Sequence, residues 1–227
     1  KIEKCVANAE KELLKIMNKN VTFVFGASFI IGNYILPRFL NNLKENIHND
    51  VSINVSVSHE AIQDLLDKKI DIALVENYIP NEEIIYREWM EDEIVIFSNQ
   101  KLPLKAKAED LLSYKWVCRN PESNTRLLFK ENLEKANYPD CDTFNVTSEV
   151  TSATTIVQTV LHSDKNLTPT VSIVSRNAIE SLLKAGALYE SRIGNQKMLR
   201  KLYIAYRKDK KHDAFIENVV DYLLKMK

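Results

Sequence analysis

The residues of this chain best placed for chemistry gather at two corners. At the first, the apolar run Val21 to Phe25 meets Gly26-Ala27-Ser28, and apolar residues then recur at Ile30, Ile31, Tyr34, Ile35, Phe39 and Leu43 with the spacing of one helix face. That pattern predicts a strand, a sharp turn at Gly26 and a helix. A helix start leaves backbone N–H groups unpaired and carries a partial positive charge, so together with the Ser28 hydroxyl it suits a small anion. The same serine equally serves as a helix cap. The second corner repeats the plan, with a strand from Lys115 to Arg119, the polar turn Asn120-Pro121-Glu122-Ser123-Asn124, and a helix from Thr125 to about Ala136. Pro121 ends the strand, and Ser123 or Asn124 can cap.

Catalysis needs a nucleophile beside a base, a metal cluster or a phosphate loop, and no such spacing occurs. His48, His59, His162 and His212 are scattered without HExxH pairing and read as surface residues. Cys5, Cys118 and Cys141 are an odd number without CxxC spacing, which argues against a disulfide framework and against zinc, and leaves buried thiols as the expectation. Asp71, in an apolar strand, reads as a group that fixes neighbouring backbone N–H donors rather than a ligand. The chain is therefore expected to bind and not to react: no catalytic residue, no metal and no cofactor.

The elements that position these corners emerge from hydrophobic patterning. Val51, Ile53, Val55 and Val57 alternate with serine and asparagine, as in a strand with one face buried; Ser58 can cap a helix carrying Ile62, Leu65 and Leu66; Ile70 to Val75 is a strand buried on both faces. Strand, helix, strand, helix, strand implies right-handed crossovers and a parallel sheet. Ile84 to Met90 reads as a strand broken by Glu91-Asp92-Glu93 before Ile94 to Ser98 resumes it. Strands at Phe144 to Thr147 and Val171 to Val174 alternate with helices around Ile156, Val157, Val160 and Leu161, and around Ile179, Leu182 and Leu183, the latter ended by Gly186. A strand from Leu199 to Tyr206 and a helix with Phe215, Val219, Tyr222 and Leu223 close the chain. At the start, Ile2, Val6, Ala9, Leu13 and Ile16 alternate in steps of four and three, a heptad seam that reads either as a dimerising linker helix or as an amphipathic helix lying on its own domain.

A length of 227 residues, 45% hydrophobic and 27% charged, allows one large core or two modest ones. No apolar run reaches the ~18 residues of a membrane span, and the N-terminus is no secretory signal, which points to the cytoplasm. With 31 basic and 31 acidic residues the net charge is zero, so the basic excess that holds proteins to nucleic acid or anionic membranes is lacking.

Gly26-Ala27-Ser28 with Ile31-Gly32 and Leu36-Pro37, then Ile70-Asp71-Ile72-Ala73-Leu74-Val75, Asp92-Glu93-Ile94-Val95-Ile96, Lys101-Leu102-Pro103-Leu104 and Ser123-Asn124-Thr125-Arg126 succeed one another in an order that resembles the regulatory domain of LysR-type transcriptional regulators. The resemblance runs from about Val21 to the C-terminus. It implies an α/β fold of two Rossmann-like subdomains joined by two crossover strands, the type 2 periplasmic-binding-protein fold, preceded by an N-terminal linker helix. The implied division is residues 1–18 for the linker, 21–92 with 195–227 for subdomain I and 93–194 for subdomain II, with the return crossing near Ile193-Gly194. A small effector, anionic by the chemistry of the two corners, would bind between the subdomains. Its candidate contacts are Gly26, Ala27, Ser28, Phe29 and Asn77 from the first and Ser123, Asn124, Thr125 and Thr147 from the second. The resemblance further implies a homodimer or homotetramer, and promoter DNA bound only through a winged helix-turn-helix upstream of Lys1, so that the chain is expected to be a piece of a longer regulator.

One departure is Leu167-Thr168-Pro169-Thr170, where the family usually has Gly-x-Gly. Three alternatives stand beside this reading. A periplasmic-type solute-binding protein shares the plan but has no use for the heptad helix. A redox sensor of the same family would use Cys118 and Cys141, which a predicted helix separates. Thr125-Arg126 is similar to the Thr-Arg-Phe of prephenate dehydratases, but Leu127 stands in place of the phenylalanine.

Overall fold

The computed structural model describes residues 22–47 and 49–226. The predicted heptad seam, Ile2, Val6, Ala9, Leu13 and Ile16, lies outside them. In chain order the first elements are β1 (Phe23–Ser28), a π-helical turn (Ile31–Ile35), a 3-10 turn (Leu36–Arg38), α1 (Leu40–Ile47), β2 (Val51–Ser56), α2 (Ser58–Leu66), β3 (Ile72–Val75) and β4 (Ile84–Ser98). Next come β5 (Lys105–Ala106), α3 (Ala108–Ser113), β6 (Lys115–Arg119), α4 (Asn124–Lys135), β7 (Asn145–Val150), α5 (Ala153–Leu161) and β8 (Thr170–Ser175). The chain closes with α6 (Arg176–Lys184), β9 (Tyr189–Ile193), β10 (Met198–Arg207) and α7 (Ala214–Lys225). Among the described residues no helix is long and apolar enough to cross a membrane.

The chain divides into two compact units, one comprising residues up to Glu91 and from Lys201 onward, the other Asp92–Arg200. It passes between them twice, inside β4 and inside β10, so the return falls between Arg200 and Lys201 and not near Ile193-Gly194.

In the first unit β1 lies between β2 and β3, parallel to both, with Ser28 opposite Ser56 and Ala27 opposite Leu74; β10 runs antiparallel to β3. Its core packs Ala61, Ile62 and Leu65 of α2 against Ile70, Ala73 and Val75. In the second unit β6 lies parallel to β7 and β8, β4 runs antiparallel to β8 and β9, and β9 pairs with β5. Its core is aromatic: Trp116 stacks on Phe144 with ring centroids 5.0 Å apart and meets Phe129 at 5.4 Å, while its indole N–H donates to the Leu111 carbonyl. An indole so buried needs that acceptor.

Four expectations are corrected. Gly26 lies inside β1 rather than at a turn; a Cβ there would meet Ile70 Cδ1 at 2.3 Å, so the glycine admits the close approach of the segment leading into β3. The periodic run after it is not one α-helix. Pro37 has no N–H to give to the residue four before it, and its ring crowds that carbonyl, so after the α-helical Phe29 and Ile30 the chain shifts to π spacing over Ile31–Ile35 and to 3-10 spacing over Leu36–Arg38, and regular α-helix resumes at Leu40. Glu91-Asp92-Glu93 does not interrupt the strand: β4 runs unbroken for 15 residues because buried Asp92 is fully partnered. Ser58 caps nothing with its side chain; its hydroxyl accepts instead from the Glu76 N–H at 3.4 Å. The elements β5, α3 and β9 have no counterpart in the sequence reading.

Candidate functional site

In parallel α/β sheets ligands meet the carboxyl ends of the strands, so those ends are the place to look in each unit. In the first unit they are Ser28, Ser56 and Val75. Ser28 ends β1, is 2% exposed, and its hydroxyl has no hydrogen-bond partner among the described residues. It caps nothing: the first helical turn after it shows no side-chain cap. Phe29, the next residue, is 50% exposed, and Asn77 is half-buried just beyond β3. Gly26 and Ala27 are strand residues with buried backbones, so any contact they make runs through the chain itself. Ala27, fully buried, packs under Gly32, where a Cβ would come within 2.7 Å of Val55 Cγ2 and 3.3 Å of the Ala27 Cβ.

Asp71 behaves as expected of a structural group. Its Oδ2 accepts from the Val24 N–H at 2.8 Å while its own N–H donates to the Val24 carbonyl, which fixes the start of β3 against β1.

In the second unit the corner after β6 is built differently. Ser123 caps α4, accepting from the Arg126 N–H at 3.2 Å, with Asn124 exposed and Thr125 half-buried in the first turn. Thr147 is the extra residue of a bulge in β7, between the pairs Trp116 with Val146 and Val117 with Ser148, and its hydroxyl donates to the Trp116 carbonyl. Arg126 lies beside this corner, 11% exposed, and is fully engaged: Nη1 donates to the Arg119 carbonyl and stands 3.6 Å from Glu149, and Nη2 donates to Asp142 at 3.1 Å. A guanidinium held by two carboxylates and a carbonyl offers little to an incoming anion. Pro169, in the segment that departs from Gly-x-Gly, accepts from the Lys115 N–H, and Thr170 from the Ser98 hydroxyl.

Cys118 and Cys141 are separated in sequence by α4, yet both belong to the aromatic core of the second unit. Burial pushes the Cys118 thiol up to about 11 and raises that of Cys141 as well, against the pull of Arg126. Both are thiols, not thiolates, at neutral pH, the reverse of what a reactive sensor needs. Asp140, Cys141 and Asp142 bring potential ligand atoms within 4.8 Å of one another, but Lys130 lies 2.9 Å from both carboxylates. The acidic pair is held low by that ammonium and by the Asp142 N–H donated to Asp140, so it suits an internal ion pair better than a metal.

The sequence reading missed a buried carboxylate that gathers three side-chain donors. Asp92 is fully buried and accepts from Ser175, Asn177 and Arg200. The sequence shows an acidic residue amid an apolar strand pattern, but nothing in it says which distant residue partners that carboxylate.

Residues 20–227 match the family model described as LysR substrate binding domain. Over 200 residues, 86% of this chain, the sequence is 28% identical to the uncharacterized HTH-type transcriptional regulator YeiE of Escherichia coli strain K12, and the chain spans 65% of that relative's length. The fold is shared with the regulatory domain of Synechocystis CcmR solved with 2-PG (TM-score 0.72, 17% identity, 90% of this chain and 96% of that one). It is shared also with the effector-binding domain of QuiR solved with shikimate (TM-score 0.69, 20% identity, 91% and 97%). With that match over nearly all of its length, and with both units built as mixed α/β sheets around parallel strands, the chain belongs to the LysR substrate-binding domain family.

Proposed function

We propose that this domain senses a small anion, a carboxylate or an inorganic oxyanion, and that Ser28 is its principal contact. The observation that carries the reading is the buried, unpartnered Ser28 hydroxyl at the carboxyl end of β1. A buried hydroxyl without a partner is disfavoured by about 1–3 kcal/mol, and such groups in native structures call for an explanation. A ligand oxygen that accepts from it supplies one. Gly26, Ala27, Phe29 and Asn77 would contribute backbone and side-chain contacts from the same unit, and Ser123, Asn124, Thr125 and Thr147 from the other. Of these, the Ser123 and Thr147 hydroxyls already serve the fold, which supports giving Ser28, Asn124 and Thr125 the larger share of recognition in this reading. That QuiR was solved with shikimate, a carboxylate, is consistent with the same ligand chemistry here.

Binding without catalysis is the function this arrangement supports. An effector shifts such a domain only by binding one arrangement of the two units better than another, and a few kcal/mol changes populations severalfold. In the whole regulator, cytoplasmic and dimeric or tetrameric through the seam at Ile2, Val6, Ala9, Leu13 and Ile16, that shift would reach a helix-turn-helix domain on promoter DNA.

A hydrogen bond to a charged group contributes about 1.5–3 kcal/mol, so three such bonds near the upper end of that range reach the ~8 kcal/mol of micromolar binding. The test is a calorimetric titration of the chain with a panel of small carboxylates, phosphate and sulfate, repeated for the best binder on Ser28→Ala. At least about tenfold weaker binding is expected, the smallest loss consistent with that bond. Unchanged affinity would remove Ser28 from the site.

A further inference from the structure

Both crossings between the units are flanked by buried anchors. Asp92 and Arg200 are the first and last residues of the second unit. Asp92 Oδ2 accepts from Arg200 Nε at 2.9 Å and lies 2.7 Å from Nη2; Oδ1 accepts from Ser175 Oγ at 2.5 Å and from Asn177 Nδ2 at 2.9 Å. One carboxylate thus ties both crossing strands to each other and to the junction of β8 with α6. In the first unit, buried Trp89 donates its indole N–H to the Leu223 carbonyl at 2.8 Å, fixing β4 to the last turn of α7, and Leu202 of β10 is fully buried. What lies between these anchors is short and wet: Met90 is half-buried, Glu91 and Lys201 are exposed. Lys201 pairs with Glu88 at 2.7 Å, but both side chains are more than half exposed, and such pairs contribute little.

We propose that Asp92 defines the pivot of the domain. Bending is confined to Met90–Glu91 on the outgoing strand and to the Arg200–Lys201 link on the return, while Asp92 makes the second unit's part of β4 and of β10 turn as one piece with the start of α6. The physical reason is the cost of the alternative. Bending on the far side of Asp92 would pull it from Arg200 and leave a buried charge uncompensated, which is far more costly than rotating two exposed residues. Hinges are commonly a few positions at element ends that absorb the backbone change.

Pulsed electron resonance between spin labels on Glu45→Cys of α1 and Glu134→Cys of α4, in a chain with Cys5→Ser, reads the distribution of distances between the units. Asp92→Asn is expected to broaden that distribution or add a second population, and Lys201→Ala to leave it as in the parent. If the Asp92→Asn distribution superimposes on the parent, or Lys201→Ala broadens it equally, the assignment fails. Should Asp92→Asn not fold, Asn177→Ala removes one of the carboxylate's donors while sparing the ion pair; a smaller broadening is expected, and none would overturn the proposal.

Discussion

Ser28 ends a strand with its hydroxyl buried and idle, whereas Ser123 stands four residues beyond a strand with its oxygen engaged as a helix cap. The two corners share a sequence plan of apolar strand, small polar turn and periodic apolar run. They part because the chain beyond each serine takes a different course. After Ser28, Pro37 breaks the helix into π and 3-10 turns and the chain turns directly out of the strand. After Arg119, Pro121 opens a looser loop that gives Ser123 the extended backbone of a cap, and α4 then runs regularly for 12 residues. A serine in such a setting is thus a cap when a regular helix lies behind it and a candidate ligand when none does.

The sharpest contrast between the units lies in their tryptophans, one in each: Trp89 in the first and Trp116 in the second. Trp116 sits at the centre of its aromatic core, so Trp116→Ala should destabilise the second unit by about 3–5 kcal/mol. Denaturant titration tracked by the remaining Trp89 emission then reports the first unit alone. A Trp89 transition that stays at the parent midpoint while circular dichroism shows earlier unfolding would mean that the units unfold independently. Coincident early transitions would show one cooperative molecule.

The corners themselves are separated by a smaller effect. Ser123→Ala should lower stability by about 0.5–2 kcal/mol, the usual loss of a helix cap. Ser28→Ala removes a hydroxyl that bonds to nothing among the described residues, so stability should be unchanged or slightly raised. Urea midpoints of both variants in the absence of effector test this, and equal losses would dissolve the distinction between the corners.

Much of the fold is legible in the sequence because hydrophobic period is written by burial. β1, β2, β6, β8 and α7 fall within two or three residues of their predicted spans. The errors are equally physical. Glu91-Asp92-Glu93 reads as a break because a single sequence carries no sign that Arg200, 108 positions later, neutralises Asp92. The short β5 and β9 hold too few residues to show a period, and the run after Ser28 reads as one helix only while Pro37 is taken as part of a motif and not as a missing donor. At the site, the identity of Ser28 is readable from sequence, but its lack of a partner is a fact of packing alone.

The last and smallest effect concerns acid. Glu93 of the second unit accepts from Arg192 Nε at 2.6 Å and Nη2 at 3.0 Å, and that bidentate bond holds its carboxyl below the ordinary value of 4.5 despite partial burial. Its counterpart in the first unit, Asp213, caps α7 through the Phe215 and Ile216 N–H groups; burial raises its pKa, yet Lys210 and those amides bring it below 3.8. A carboxylate whose pKa is lower folded than unfolded stabilises the fold above its unfolded pKa, and that contribution is lost as pH falls through the folded value. Both groups therefore stabilise the chain at neutral pH, where that contribution does not vary with pH, and make it more labile as pH falls below 4.5 for Glu93 and below 3.8 for Asp213. Glu93→Gln should shift the urea midpoint at neutral pH modestly downward and flatten its decline in acid, so that mutant and parent converge once Glu93 is protonated. If the two curves stay parallel down to about pH 3, the Arg192 pair contributes nothing through charge, and acid sensitivity belongs to other carboxylates held low, Asp213, Asp140 and Asp142 among them.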